Sequence, residues 1–268
     1  MGEAQFERDG TLVTVVLDGQ PQSAVDVEDP TRLDFEYVLH LALVIDALAP
    51  SGPLRVTHVG GAGLTLARWV NHLRGGSPQI VLEPDAALTE AVRRELPLPR
   101  GHRIRIRPVD GLTGVGALRD TSADIVVLDA YAGGQVPAEL GTVEWFAELR
   151  RVLAPGGLVL ANVADEPGMR YAARVAAGAR EALGHVAFVG LHEVLKGKRF
   201  GNLVLVGATT PVDLYTLRRA TASASLPTGV MGWEEVIRRR PGARPFSAAS
   251  GDTASSPPPP ERGAWRRR

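Results

Sequence analysis

Four short segments of the chain join glycines or a lone carboxylate to the end of an apolar run. The first is Gly60-Gly61-Ala62-Gly63, which follows Leu54 to Val59. Glycines there let a ligand approach the backbone and leave the amides of a following helix free to meet it. The same residues also make a tight strand-to-helix turn with no ligand. Glu83 comes about 20 residues later, the separation at which an acid reaches ribose hydroxyls in nucleotide-binding α/β folds. A carboxylate can accept from both hydroxyls at once; the plainer alternative is a solvated acid at a strand end. Asp110-Gly111 pairs a possible acceptor for an adenine amino group with a glycine that leaves room for the base, and it is also a common turn. Asp129 ends the run DIVVLD (Asp124 to Asp129) and precedes the loop AYAGGQVPAEL. An acid leaving a fully apolar strand for a glycine-rich loop has no structural need of its charge, which favours a site role over a capping one.

These residues can cooperate only if strands carry them to one edge. The pattern from about Pro53 to Ala208 supplies such strands. Leu54 to Val59, Gln79 to Glu83, Arg103 to Val109, Asp124 to Asp129 and Leu158 to Val163 read as strands. Between them, helices run from the glycine turn to about Leu73, from Asp85 (the N-cap) to Leu96, and from Thr142 to Leu153. Ala154-Pro155-Gly156-Gly157 carries helix-stop residues. After an alanine-rich helix over Gly168 to Leu183, His185 to Leu191 and Asn202 to Val206 can pair as an antiparallel hairpin around Lys196-Gly197-Lys198. Alternating strands and helices of this length predict an α/β fold with a doubly wound, mostly parallel sheet. With the final hairpin, the sheet resembles the Rossmann-like class I methyltransferase form, which implies an adenosyl thioether as the ligand.

Ahead of it, Thr11 to Asp18 and Ser23 to Val27 suggest a small N-terminal β-hairpin. Asp29-Pro30-Thr31 reads as a helix start, with helical spacing from Leu33 to Leu48. Beyond Thr209 one or two short helices fit, up to about Arg240. The expected division is therefore a hairpin segment (1–31), an α/β domain (32–240) and a Pro/Ser/Arg-rich tail (241–268) that cannot bury enough apolar surface to order itself.

Lysine plus arginine number 30 and aspartate plus glutamate 30, so the net charge of +0 gives no reason to expect nucleic acid or an anionic membrane as a partner. The absence of cysteine excludes disulfides, thiolate metal sites and a cysteine nucleophile. No apolar run approaches the roughly 18 residues that span a bilayer, and the polar Met1 to Gly10 is no secretory signal. A soluble cytoplasmic protein is the default. His40 and His72 have no partners at metal-ligand spacing, so no metal is expected. Trp69 and Trp145 read as packing residues, Lys196 to Arg199 as a solvated turn, and Arg266-Arg267-Arg268 as a charged end.

Taken together, the sequence from about Val13 to Val206 resembles the spermidine synthase family of polyamine aminopropyltransferases. Leu17-Asp18-Gly19 with Gln22 is similar to the family's N-terminal hairpin, whose glutamine helps hold the nucleoside. Phe35-Glu36-Tyr37 looks like its segment with a substrate-lining tyrosine. The glycine turn, Glu83, Asp110-Gly111 and Asp129 are similar to its cofactor-cradle, ribose, adenine and strand-four acidic positions. Pro137-Ala138-Glu139 and LRRVLAPGG (Leu149 to Gly157) match as well, the latter in methyltransferases generally. The resemblance implies an acid at position 63, where this chain has Gly63, and a second loop acid at position 132, where it has Ala132. Val38 and Leu39 replace a histidine and a glutamate. A polyamine site needs several carboxylates to hold a multiply charged amine and take its proton, and much of that apparatus is missing.

Three expectations follow. In the first, an aminopropyl group passes from decarboxylated S-adenosylmethionine to an amine, with Asp129 catalytic, Tyr37 lining the substrate, and Gln22, Gly60, Gly61, Gly63, Glu83, Asp110 and Gly111 holding the cofactor. In the second, intact S-adenosylmethionine is accepted for methyl or other transfer, because Gly63 removes an acid that would repel its carboxylate. The third is a catalytically inactive member that keeps the fold. The expected partner is a small-molecule amine or other acceptor, with no nucleic acid and no membrane; homodimerisation is left open.

Overall fold

The computed structural model describes residues 4–260. The first half of the chain forms β1 (Gln5–Asp9), β2 (Leu12–Leu17), β3 (Gln20–Asp26), α1 (Glu36–Leu48), β4 (Val56–Gly60), α2 (Thr65–Leu73), β5 (Gln79–Leu82), α3 (Ala86–Glu95), β6 (Ile104–Arg107), α4 (Gly111–Gly116) and β7 (Ala123–Asp129). The second half forms a 3-10 turn (Ala138–Gly141), α5 (Val143–Val152), β8 (Leu153–Asp165), α6 (Arg170–Leu183), β9 (His185–Leu191), α7 (His192–Leu195), β10 (Gly201–Ala208), α8 (Leu214–Ala222), β11 (Thr228–Gly232) and α9 (Trp233–Arg239). Strands β1-β2-β3 make a small sheet, and the others an eight-stranded sheet in the order β11-β9-β10-β8-β7-β4-β5-β6. Strands β7, β4, β5 and β6 run parallel, whereas β9 is antiparallel to β10 and β11. The α/β class, the mostly parallel sheet and the closing antiparallel hairpin are as the sequence predicts. Among the described residues no helix is long and apolar enough to cross a membrane.

The chain divides into two compact units, one comprising residues up to Ala130 with Arg151–Leu160, the other Tyr131–Arg150 with Ala161 onward. In the first, chain order runs β4, β5, β6 outward and then returns to place β7 on the other side of β4. That reversal opens a crevice at the C-terminal ends of β4 and β7, the place where open α/β sheets bind ligands. The N-terminal sheet packs Val13, Val15 and Val25 into a core with Leu64, Val81, Leu88, Val92 and Ile104. It has one strand more than expected. Strand β1 (QFERD) is mostly exposed and charged, which suits an edge strand but carries little β signal.

Helix α1 begins at Glu36, not at Asp29-Pro30-Thr31. The Asp26 carboxylate accepts from the amides of Glu28 and Asp29 and from the Arg32 guanidinium, and Asp29 accepts from the Thr31 amide and hydroxyl. Side-chain turns thus hold residues 26–32 as a loop. Asp110-Gly111 opens α4, a helix not anticipated because GLTGVG has poor helix propensity. Packing overrides propensity there: a Cβ on Gly114 would lie 2.7 Å from Leu82, and Val115 is fully buried.

In the second unit, α6 buries ten of its residues. Two C-terminal helices form, α8 and α9, where one or two were expected, and between them lies the unforeseen β11, whose Gly229 makes room for the His192 ring. Two glycines in five residues hide a strand. Residues 241–260 correct a further expectation, since they do bury apolar surface. Phe246 is 3% exposed and packs against Tyr171 with ring centroids 5.5 Å apart, and Ser256 is fully buried. Composition counted the polar residues of this segment but not the neighbours that receive its one aromatic side chain. The terminal arginines lie outside the described residues.

Candidate active site

Parallel pairing sets the candidate carboxylates and glycines in a row. Gly60 is in register with Asp129 across β4 and β7. Leu82 is in register with Arg107 across β5 and β6, and the Glu83 amide donates to the Arg107 carbonyl at 3.1 Å. Asp129, Gly60-Gly61, Glu83 and Asp110 therefore emerge from the same ends of four consecutive strands. Three inter-strand steps of about 4.8 Å give the row a length of about 14 Å. Glu83 and Asp110 stand on one side of the molecule, as a shared pocket requires.

The glycines sort into different roles. A Cβ on Gly60, at φ +79°, would lie 2.3 Å from the Asp129 carbonyl oxygen, so glycine here answers to the close approach of β7. A Cβ on Gly63 would lie 2.7 Å from Ser23 Oγ and 3.2 Å from Val15. Gly63 is thus filled by the N-terminal sheet rather than open to a ligand. Of the turn's three glycines, Gly61, at φ +120°, is the one that meets nothing within 4 Å. Helix α2 then starts at a left-handed Leu64 with no side-chain cap, and Arg68 ties the turn down by donating to the Gly63 carbonyl at 3.2 Å. Burial lowers the Arg68 pKa to about 10, which leaves it charged at neutral pH.

Tyr37, Gly60, Gly61 and Asp129 line one cavity, joined by Ser23, His58 and Thr65. The Tyr37 hydroxyl donates to Asp129 at 3.2 Å from the first turn of α1, with the Phe35 ring tilted against it at 6.0 Å. Ser23, His58 and Thr65 are buried and were missed by sequence reasoning. The Ser23 and Thr65 hydroxyls lie 2.7 Å apart, and Thr65 also donates to the Ala24 carbonyl, stitching β3 to the start of α2. His58 Nε2 bonds Gln79 at 2.8 Å, and Gln79 donates to the Ala67 carbonyl. Burial pulls the His58 pKa down to about 4, so the ring is neutral. The adjacency of Ser23 to Gln22 and of Thr65 to the glycine turn was the available signal.

Gln22, Gly63, Glu83, Asp110 and Gly111 do not line this cavity. The Gln22 amide donates at 3.4 Å to the Gln20 carbonyl in its own strand. Glu83 is half-buried, accepts from the Asp85 amide at 3.0 Å, and is pushed upward in pKa by burial. Asp85 caps α3 as expected, accepting from the Leu88 amide. Asp110 is exposed and caps α4, accepting from the Thr113 amide at 2.9 Å and its hydroxyl at 2.7 Å. Those bonds, the backbone one foremost, hold its carboxyl below the ordinary range. Asp165, at the end of β8, was not singled out. It is buried and accepts from the amides of Glu166 and Ala172, and burial pushes it up to about 6. It anchors the start of α6. Among the described residues no group of three or more His, Asp or Glu side chains is placed to hold a metal ion.

No protein-family model matches the chain. Among curated proteins it is similar to the polyamine aminopropyltransferase of Chromobacterium violaceum, 24% identical over 164 residues that make up 60% of this chain. The match spans 62% of that relative's length. Among solved structures it is similar to human methyltransferase-like protein 13 in complex with SAH, with a TM-score of 0.57 at 16% identity, over 81% of this chain and 98% of that one, a likeness of fold alone. It is also similar to a probable spermidine synthase from Corynebacterium glutamicum. There the TM-score is 0.83 and the identity 30%, over 91% of this chain and 92% of that one. With agreement of that extent in both fold and sequence, the chain belongs to the spermidine synthase family of polyamine aminopropyltransferases, built on a class I methyltransferase-like fold.

Proposed function

We propose that the protein transfers an aminopropyl group from decarboxylated S-adenosylmethionine to an amine. The observation that carries this reading is the Tyr37–Asp129 hydrogen bond in the wall of the cavity that Gly60 and Gly61 also line. An S-adenosyl nucleoside fits the row of strand ends beside it. Gly61 leaves open the space a side chain would take, the first amides of α2 lack a side-chain cap, and Glu83 stands on the next strand. In this reading Glu83 accepts from the ribose hydroxyls, Asp110-Gly111 flanks the base, and Gln22 completes the cradle. When bound, the donor supplies a sulfonium: the amine forms a C–N bond, the C–S bond breaks, and its electron pair stays on sulfur in methylthioadenosine. Asp129 accepts a hydrogen bond from the amine, aligns it and takes up its proton, while Tyr37 holds the carboxylate in place.

Gly63 and Ala132 leave fewer carboxylates than a multiply charged acceptor needs, so this reading favours a small amine of low charge. The protein is taken as a cytoplasmic enzyme with small-molecule partners only, and sedimentation decides between monomer and homodimer. The test is methylthioadenosine release from decarboxylated donor with a panel of mono-, di- and triamines. Release with at least one amine is expected, and its absence across the panel overturns the proposal.

One observation favours a second reading. Ser23 Oγ occupies the space beside Gly63, so no acid stands there to repel the carboxylate of intact S-adenosylmethionine. Calorimetry with both cofactor forms separates the two: tighter binding of the intact form points to methyl transfer. Binding of neither form, nor of methylthioadenosine, points to an inactive member of the family.

A further inference from the structure

The loop that leaves β7 directly after Asp129 is held by the C-terminal segment of the same chain. Residues 132–135 form a tight reversal, with the Ala132 amide donating to Gln135 at 2.8 Å and the Gln135 amide to Ala132 at 3.1 Å. Its two central residues, Gly133 and Gly134, have φ of +58° and +78°, as mirror-image hairpin turns require. Adjacent glycines are also the residues that lose most conformational freedom on ordering.

Something must therefore stabilise the reversal, and residues 246–259 do so at successive points. The Val143 amide donates to the Phe246 carbonyl at 2.9 Å. Glu144 accepts from the Ser247 hydroxyl and from the amides of Ala248 and Ala249. Ser256, fully buried, accepts from the Val136 amide through its hydroxyl at 2.8 Å and donates its own amide to the Val136 carbonyl at 3.2 Å. Gln135 donates its side-chain amide to the Ser256 carbonyl. Pro259 covers the tip, where a Cβ on Gly134 would come within 3.0 Å of its ring.

We propose that residues 246–259 are a strap that fixes the course of residues 132–136, with Ser256 as the positioning residue. Hydrogen exchange of the full-length chain decides the strap without any turnover. In Ser256→Ala the Val136 amide loses its acceptor, and its exchange should accelerate about tenfold, with Ser256→Thr restoring protection. Gln135→Ala, which removes only one donor, should accelerate residues 132–136 more weakly, and it decides the matter if Ser256→Ala does not fold. Exchange at Val136 unchanged in the variant that decides overturns the strap.

Discussion

Asp110 and Asp213 lie in different units of the molecule and have nearly the same surroundings. Each begins an Asp-x-x-Thr segment and caps a helix, α4 or α8. Asp110 accepts from the Thr113 amide and hydroxyl at 2.9 and 2.7 Å, and Asp213 accepts from the Thr216 amide and hydroxyl at 2.9 and 2.7 Å. Both carboxyls are held below their ordinary range by those bonds, the backbone one first. The two differ in what precedes them. Asp110 follows β6 in the parallel row that holds Gly60, Glu83 and Asp129, whereas Asp213 follows β10, which pairs antiparallel with β9. Cap geometry alone therefore explains why an aspartate stands at either place. A ligand role for Asp110 must come from its place in the row.

The comparison can be tested by removing one carboxylate at a time. The largest effect belongs to Asp129, which accepts from the Tyr37 hydroxyl in the cavity wall. Asp129→Asn should lower kcat for amine transfer about a hundred- to a thousandfold, and Asp213→Asn should leave it unchanged; steady-state kinetics on both variants checks this. Next comes Glu83→Gln, which removes a charged acceptor from the proposed ribose contact. Calorimetry with methylthioadenosine should show affinity weakened about tenfold or more, with the fold retained by circular dichroism. The sharpest contrast is Asp110→Asn against Asp213→Asn. Thermal melts should show similar small losses from each cap, but only Asp110→Asn should also weaken methylthioadenosine binding. Equal melts with no change in affinity would reduce Asp110 to a second Asp213.

The smallest effect concerns Asp26, a carboxylate that turns a loop in the way the two caps start helices. Hydrogen bonds from the Asp29 amide first, and then from the Thr11 hydroxyl, lower its pKa from 3.8 to about 2. Its folded pKa lies below its unfolded one, so its stabilisation is complete above the unfolded value and lost as pH falls through the folded one. Melts of Asp26→Asn and parent should differ at pH 7 and converge between pH 4 and 2. A gap that stays constant down to pH 2 would show that the turn does not depend on ionised Asp26.

The row of strand ends was legible because its signals are local. DIVVLD is an apolar run closed by an acid, and β7 spans it as Ala123–Asp129. QIVLE behaves likewise, with β5 ending one residue short of Glu83. The glycine turn was legible as a turn, yet its letters could not say which glycine is open. Gly61 faces empty space, while Gly60 and Gly63 are crowded by Asp129 and Ser23, and that distinction depends on residues distant in sequence. β1, β11 and α4 were missed because charge or glycine masks their propensity, and pairing or packing supplies what propensity lacks.

By itself, the sequence determined that strands and helices alternate from β4 to β10 and which acids end which strands. Those features follow from backbone periodicity and from the cost of burying unpaired polar groups, both of which act over a few residues. Only the tertiary structure decided that Tyr37 reaches Asp129 across 92 residues of chain, that the N-terminal sheet fills the space at Gly63, and that Ser256 holds the loop beyond β7. Such contacts form when elements already folded by local rules are packed together, and packing depends on side chains that no single stretch of sequence contains.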